Sequence, residues 1–380
     1  MKLAIVRQRY TPFGGAERFV ARALDAFAGQ GVAVDIVARS WEGKAQGVTC
    51  DPFYLGRTWR DASFAQCVRR VIDSGRYDLV QSHERIPGCH VYRAGDGVHA
   101  TWLEIRGRTQ TATQRLATRW QPWHRYTLRA EDGMFRHANL RAVICNSRMV
   151  RDDIAHRYPE IASRLHVVHN GFDPDTFHPG LRQEHRASLR DRAGIDAATP
   201  VILYVGSGFA RKGVATLVEA LAGMQTRNAQ LWVVGRDRQQ AHFEQLAGRL
   251  GVADRVRFWG GQTDVRPFYG AADLYCLPTL YDPFPNTVLE ALACGLPAIT
   301  TTSSGAAEVI VAGDEAQANG AVVAPDDAPA LAASLDLWLE NVRRHGGRDV
   351  SASVAHLKFA ATTETMLALY RDLLGLPANL

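Results

Sequence analysis

The chain has 380 residues and a formal net charge of +5, a length that exceeds one ordinary hydrophobic core and predicts two domains. With 46% hydrophobic and 22% charged residues, a disordered chain, a collagen-like repeat and a long coiled coil are excluded. The charge is unevenly spread: residues 1–170 hold 26 Lys plus Arg against 16 Asp plus Glu, net +10, which leaves 18 against 23, net −5, for the rest. That asymmetry predicts an anionic contact for the first half, with nucleic acid, a phosphorylated substrate and a membrane surface as candidates.

In chain order, short apolar runs alternate with stretches of helical period, the pattern of β-α units around parallel sheets. Strands are predicted at Leu3–Val6, Val32–Val37, Leu79–Gln81, Val91–Ala94, Ala142–Cys145 and Leu165–Val168. A polar, proline-punctuated stretch from Asn170 to Gly180 reads as an interdomain linker. The strand series restarts at Val201–Val205, Leu231–Val234, Val256–Phe258, Leu274–Leu277, Ala298–Thr300 and Ala321–Val323, and a last amphipathic helix covers about Leu357 to Leu374. The expectation is therefore two Rossmann-like α/β domains, residues 1–178 and 179–355, with 356–380 as a final helix, and ligands outside the carboxyl ends of the strands.

The six cysteines show no CxxC pair, and a chain of this length needs no disulfide staples, so a reducing cytoplasm is expected. The first residues lack a signal-peptide core, and no apolar window is long enough to cross a bilayer, so any membrane contact is expected to be peripheral.

Three segments have the composition of an anion site. After the first strand, Gly14 and Gly15 open a helix, where free N–H groups and the dipole suit a phosphate; a plain glycine turn is the alternative. After Val205 comes Gly206-Ser207-Gly208-Phe209-Ala210-Arg211-Lys212-Gly213, which brings two adjacent cations to a strand end, the composition that neutralises charge on a diphosphate leaving group. It is neither a Walker loop nor a full GxGxxG. The third segment runs from Asp282 through Pro285, Asn286 and Thr287 to Glu290. Pro285 and Asn286 suit a helix start, Glu290 lies about one turn further in, where a carboxylate can take two ribose hydroxyls, and Asp282 precedes the helix, free to face a sugar.

On these residues the chain resembles the retaining glycosyltransferases of family 4, which have the GT-B fold. Asp282 and Glu290 match that family's two carboxylates with seven residues between them, Asp282 standing where Glu is usual. PFGGAER, SWEG, VYRAGD and VGSGFARKGV are similar to the lipopolysaccharide core glucosyltransferases of the family. The resemblance implies that Gly14 and Gly15 face the donor phosphates, with Gly206 beside them, and that Arg211 and Lys212 hold the diphosphate. Asp282 would bind sugar hydroxyls, Asn286 and Thr287 would offer N–H groups to phosphate, and Glu290 would bind the ribose. The base would lie near Gly235, Arg236, Arg257 and Phe258. Asp96 would stand at the reaction centre beside the acceptor, and the final helix would cross back to the first domain. His83 and Glu84 depart from the glucosyltransferase pattern.

The implied function is metal-independent, retaining transfer of a hexose, glucose foremost, from a nucleoside diphosphate sugar, UDP-linked by preference, to a lipopolysaccharide core or other lipid-linked acceptor. No cofactor is implied. Asp173-Pro174-Asp175 spells DxD but sits in a turn-forming stretch, and the thirteen histidines include no HExxH, so no metal site is expected. Arg106, Arg119, Trp120, Trp123 and Arg125 lie in a basic, aromatic segment suited to an anionic membrane surface or phosphorylated acceptor. A solvated helix with inward tryptophans is the bland alternative. The partners expected are the sugar donor, a glycan or lipid acceptor and the cytoplasmic face of the inner membrane, without nucleic acid. The rival functions are a sugar-nucleotide epimerase or phosphorylase on the same fold, and a non-catalytic nucleotide-sugar- or RNA-binding protein.

Overall fold

A computed structural model of the chain describes residues 1–10, 32–41, 47–108, 110–312, 318–345 and 349–377. Gly14 and Gly15 lie outside the described residues. The chain divides into two units, one of Met1–His169 with Phe359–Leu380 and one of Asn170–Lys358.

In the first unit the strands are β1 (Lys2–Val6), β2 (Arg9–Tyr10), β3 (Ala33–Ala38), β4 (Ser40–Trp41), β5 (Gly47–Thr49), β6 (Leu79–Ser82), β7 (Val91–Arg93), β8 (Ala142–Cys145) and β9 (Leu165–Val167). Seven of them form one sheet in the order β5-β3-β1-β6-β7-β8-β9, and β2 pairs with β4 separately. All pairings are parallel. The strands LVQS and AVIC are buried at every position, as sheets covered on both faces require.

One face packs on helices Gly56–Asp73, Pro122–Phe135 and Arg148–Arg157 through Phe64, Val68, Met134, Phe135, Val150 and Ile154. The other holds Leu3, Ile5, Leu79, Val91 and Ile144 against Met366, Leu367, Leu369 and Tyr370 of the final helix, Phe359–Leu373. The Tyr370 hydroxyl donates to Gln81 Oε1 at 2.5 Å, and Arg93 donates to Met366 Sδ at 3.3 Å, so polar contacts fix the helix in register on the apolar face.

The second unit has β10 (Val201–Val205), β11 (Gln230–Val234), β12 (Val256–Gly260), β13 (Leu274–Leu277), β14 (Ala298–Thr301) and β15 (Gly320–Val323). Their order is β12-β11-β10-β13-β14-β15, again wholly parallel. The order reverses between β10 and β13, which places a ligand crevice outside the carboxyl ends of those two strands.

Two expectations change. The stretch from Asn170 to Gly180 belongs to the second unit: Phe172 and Phe177 are in its core, and the Phe172 N–H donates to Leu357 O. Aromatic residues inside a polar, proline-rich run override its linker composition. The cysteines are not all free, because Cys50 and Cys67 form a disulfide with Cα atoms 5.8 Å apart. Cys50, at the exit of β5, comes against the helix Gly56–Asp73 only in the folded unit, and nothing in a spacing of 17 residues announces it. Cys89, Cys145, Cys276 and Cys294 are buried free thiols, pushed up by burial to about 12 for Cys89 and Cys145. Among the described residues no helix is long and apolar enough to cross a membrane.

Leu367 is 1% exposed in the seam between sheet and final helix. Leu367→Ala is expected to cost the first unit about 2–5 kcal/mol, read as an earlier urea transition in that unit.

Candidate functional site

The loop after β10 is forced across the strand ends by backbone crowding. A Cβ on Gly235 would fall 1.9 Å from the Gly206 carbonyl oxygen, and one on Gly213, whose φ is +76°, would fall 1.9 Å from that of Pro278. Only glycine tolerates either approach. The Leu280 N–H and Thr279 hydroxyl both donate to Arg211 O, which pins the cationic loop to the segment after β13.

Arg211 and Lys212 thereby converge on Asp282. Arg211 Nη1 and Lys212 Nζ each lie 3.4 Å from Asp282 Oδ2, and Arg211 Nη1 donates to Tyr281 O at 2.6 Å. Asp282 is 7% exposed and is held by its own backbone, with its N–H on Ser303 O and its carbonyl accepting from Gly305. Beyond it, the helix Asn286–Ala293 begins after Pro285 with no side-chain cap. The Val288 N–H turns back to Pro285 O, and the N–H groups of Asn286 and Thr287 at the helix start suit an external anion.

Behind this helix start stand buried tyrosines. Tyr269 donates to Glu290 Oε2 at 3.0 Å, and Tyr275 donates to Thr287 Oγ1 at 2.7 Å. Burial, and in Tyr269 the Glu290 carboxylate, push both phenols well above their ordinary range. They act as neutral donors that orient the site residues from below. Asn286 Oδ1 accepts from Asn170 Nδ2 at 2.7 Å, a residue supplied by the supposed linker. None of these three supports was anticipated from sequence. The tyrosines alone had a signal, a polar tip in an otherwise apolar buried strand or helix.

Of the residues expected near the base, Gly235 and Arg236 stand beyond a strand end, whereas Arg257 and Phe258 lie within β12. Gly235 and Arg236 follow β11, and the Arg236 chain lies over Gly261, where a Cβ would meet its Nε at 2.5 Å. Phe258 does not end its strand: it pairs with Val233, and β12 runs on to Gly260 after a register shift. Its ring packs against Phe209, centroids 6.2 Å apart. Arg257 donates to Ala193 O at the end of the helix Leu181–Ala193, and both residues line a cavity of about 560 Å³ together with Gln230 and Val256, which begin β11 and β12. Gly260 and Gly261, rather than Arg257 and Phe258, therefore accompany Arg236 at the carboxyl end.

In the first unit, Asp96 is exposed in the turn after β7, within electrostatic reach of Glu84 and Arg85. The Glu84 carboxylate accepts from the Gln8 N–H at 3.1 Å. Burial, with a contribution from Asp96, pushes its carboxyl up. His83 is pushed well below its ordinary range by burial and then by Arg7 and Arg93, so it is a neutral imidazole, with Nε2 3.2 Å from Gln81 Nε2.

The aromatic basic segment divides in two. Trp120 is 65% exposed with Arg125 beside its ring, and Arg119 is exposed. Trp123 is instead tied down: its indole donates to Asp61 at 2.7 Å and the Arg57 guanidinium covers its ring at 3.3 Å. Arg106 is half-buried. The helix that carries it, His99–Arg108, has its start capped by Glu131, which accepts from the His99 N–H and from Arg85. Asp173 accepts from the Asp175 N–H and from the Thr176 hydroxyl, the turn role that its DxD spelling competes with. Among the described residues no group of three or more His, Cys, Asp or Glu is arranged to hold a metal ion.

A raised carboxyl makes the folded protein bind the Glu84 proton more tightly than the unfolded chain, so its stabilisation is present at low pH and lost as pH rises through the folded pKa. Glu84→Gln, which keeps an acceptor for Gln8, is expected to melt above the parent at about pH 8 and to converge with it near about pH 4, checked by melting curves across that range.

Residues 13–176 match the family described as Glycosyltransferase Family 4, and residues 185–346 the one described as Glycosyl transferases group 1. The chain is 30% identical over 318 residues to the lipopolysaccharide glucosyltransferase WaaG of Escherichia coli (strain K12), covering 82% of this chain and 83% of that protein. The crystal structure of WaaG, a glycosyltransferase involved in lipopolysaccharide biosynthesis, superposes with a TM-score of 0.79 at 26% identity over 97% of this chain and 99% of that one. Anabaena HepE, solved in complex with UDP-glucose, shares the fold with a TM-score of 0.72 at 19% identity over 98% of this chain and the whole of that one. The chain belongs to glycosyltransferase family 4 and is a GT-B glycosyltransferase related to the lipopolysaccharide core glucosyltransferases.

Proposed function

We propose that the chain is a retaining, metal-independent hexosyltransferase that moves glucose from UDP-glucose to a hydroxyl of a lipopolysaccharide core or similar lipid-linked acceptor. The observation that carries this reading is the convergence of Arg211 and Lys212 on Asp282 beside an uncapped helix start, with Glu290 one turn further along. As the sugar–phosphate bond breaks, negative charge grows on the leaving diphosphate, and the groups that lower the barrier must meet that charge. Two cations poised on a single carboxylate oxygen are within a side-chain rotation of a phosphate. A fork from Arg211 and a point charge from Lys212 then serve where a metal would in other enzymes. Asp282, once relieved of them, is free to accept from sugar hydroxyls.

Tyr269 fixes Glu290 on the ribose side, and Thr287, held by Tyr275, places its N–H toward phosphate. Retention follows the family resemblance: the acceptor attacks from the face the diphosphate leaves, a phosphate oxygen takes its proton, and Asp96 positions the acceptor. The UDP and glucose choices draw on the HepE complex and on WaaG; the acceptor class draws on WaaG.

The same reading places the enzyme on the cytoplasmic face of the inner membrane. Supporting it, Trp120 and Leu116 are exposed on the helix Ala112–Trp120, and Phe53, Leu55 and Trp59 are exposed beside Arg57 and Arg60. Exposed aromatics among arginines suit an anionic lipid surface.

Incubation with UDP-glucose and a deacylated core acceptor is expected to give an α-linked product by NMR, undiminished by EDTA; donor epimerisation without acceptor would favour the rival enzyme. Glu290→Ala is expected to abolish UDP binding by calorimetry. Arg211→Ala and Lys212→Ala are each expected to lower kcat by on the order of a hundredfold. Co-sedimentation with phosphatidylglycerol vesicles, but not with phosphatidylcholine vesicles, is expected to weaken in Trp120→Ala and Phe53→Ala and at high salt.

A further inference from the structure

Three buried tyrosines of the second unit are Tyr269 on the helix Arg266–Ala271, Tyr275 on β13 and Tyr204 on β10, and two of them hold residues of the proposed donor site. Tyr269 takes Glu290 and Tyr275 takes Thr287. The third, Tyr204 on β10, is fully buried, and its hydroxyl has no hydrogen-bond partner among the described residues. A buried hydroxyl left unmatched is a net cost, whereas phenylalanine fills the same space without one. Nothing in the packing needs the oxygen, because the ring is already held edge-on against Phe209, centroids 5.9 Å apart.

The position of the oxygen says what would use it. A Cβ on Gly206 would lie 3.2 Å from Lys212 Nζ and 3.4 Å from Tyr204 Oη, so ammonium and hydroxyl converge over the same glycine. After burial itself, the charges of Arg211 and Asp282 act most on the phenol, ahead of Asp237. Burial holds the phenol well above its ordinary range, so it is a proton-bearing donor at any physiological pH. The Lys212 chain lies over the same glycine: a Gly206 Cβ would be 3.1 Å from Lys212 Cδ, while Nζ leans on Asp282. An anion that draws Lys212 off Asp282 opens the space over Gly206 to one of its own oxygens.

We infer that the Tyr204 hydroxyl donates a hydrogen bond to a phosphate oxygen of the nucleoside diphosphate held over Gly206 and Lys212. The inference rests on the donor site assigned under the proposed function and extends it to a residue outside the loop and the carboxylate pair. Tyr204 is then a ligand-contacting group whose stability penalty in the free protein is relieved on binding, so the contact favours the charged end of the ligand and ignores the base.

Tyr204→Phe separates these effects because it removes one oxygen and keeps the ring. Without ligand the variant is expected to melt at the parental temperature or above it, the reverse of what a structural hydroxyl gives. By calorimetry its affinity for UDP is expected to fall by on the order of tenfold to a hundredfold, the value of a hydrogen bond to a charged oxygen, with uridine affinity unchanged. Unchanged UDP affinity overturns the inference, as does an equal loss for UDP and uridine or a lowered melting temperature without ligand. Glu290→Ala run alongside separates the two levels. If it abolishes UDP binding while Tyr204→Phe does nothing, the donor site stands and the inference falls. A parent that binds none of UDP, GDP and ADP removes both.

Discussion

The architecture of the proposed donor site depends on backbone meeting backbone with no room for a side chain between. At Gly235 against Gly206, and at Gly213 against Pro278, a Cβ would sit within 2 Å of a carbonyl oxygen. These contacts draw the loop after β10 tight across the ends of β11 and β13. A loop so constrained cannot relax away from the segment after β13, so the adjacent cations at its far end are delivered to Asp282. Repulsion between Arg211 and Lys212 and their unfavourable position near a helix start are offset by that one carboxylate. Substituting either glycine would displace the cations without touching a charged residue.

The polar groups of the site are ordered in layers. Arg211, Lys212 and Asp282 form the charged layer, the neutral hydroxyls of Tyr269 and Tyr275 hold Glu290 and Thr287 from beneath, and the apolar core of the second unit begins immediately below. Neutral donors suit that middle layer, because an ionised group there would lose its hydration with no partner of opposite charge. Elsewhere in the same unit the buried charge of Asp273 is matched: it accepts from Arg190 and from the Val201 N–H and is flanked by Arg186. That cluster lies where β10 and β13 begin and ties the helix Leu181–Ala193 to the sheet.

How much of this was legible in the sequence varied with the range of the contact. Long apolar runs located the main strands to within a residue or two, since a strand buried on both faces has no other composition. Glycines next to cations, and a proline before a helix, marked the cationic loop after β10 and the start of the Asn286 helix for similarly local reasons. What failed depended on distant partners. Phe258 was misplaced because β12 slips by one residue against β11 between Val233 and Val234, which moves the strand end to Gly260. Trp123 read as a membrane anchor because Asp61 and Arg57, more than sixty residues away, leave no trace near it. The Cys50–Cys67 bridge and the Asn170–Asn286 bond were hidden in the same way. The net basic charge of the first half was visible, but not that several of its arginines are spent on carboxylates within the unit, as Arg39 is on Asp51, Arg85 on Glu131 and Arg157 on Glu104.

The first unit is interrupted: its sheet is made before residue 170, and the helix that packs on one face of that sheet comes from residues 359–373, after the entire second unit. During synthesis, Leu3, Ile5, Leu79, Val91 and Ile144 leave the ribosome long before Met366, Leu367 and Tyr370 exist to pack on them. At roughly 5–20 residues per second, that face waits for about ten seconds or more while the second unit is made. The nascent chain is therefore exposed to wrong apolar partners at this face, and a truncation just after residue 358 would strand it permanently. Chaperone demand, rather than final stability, is where this topology makes itself felt in the cell.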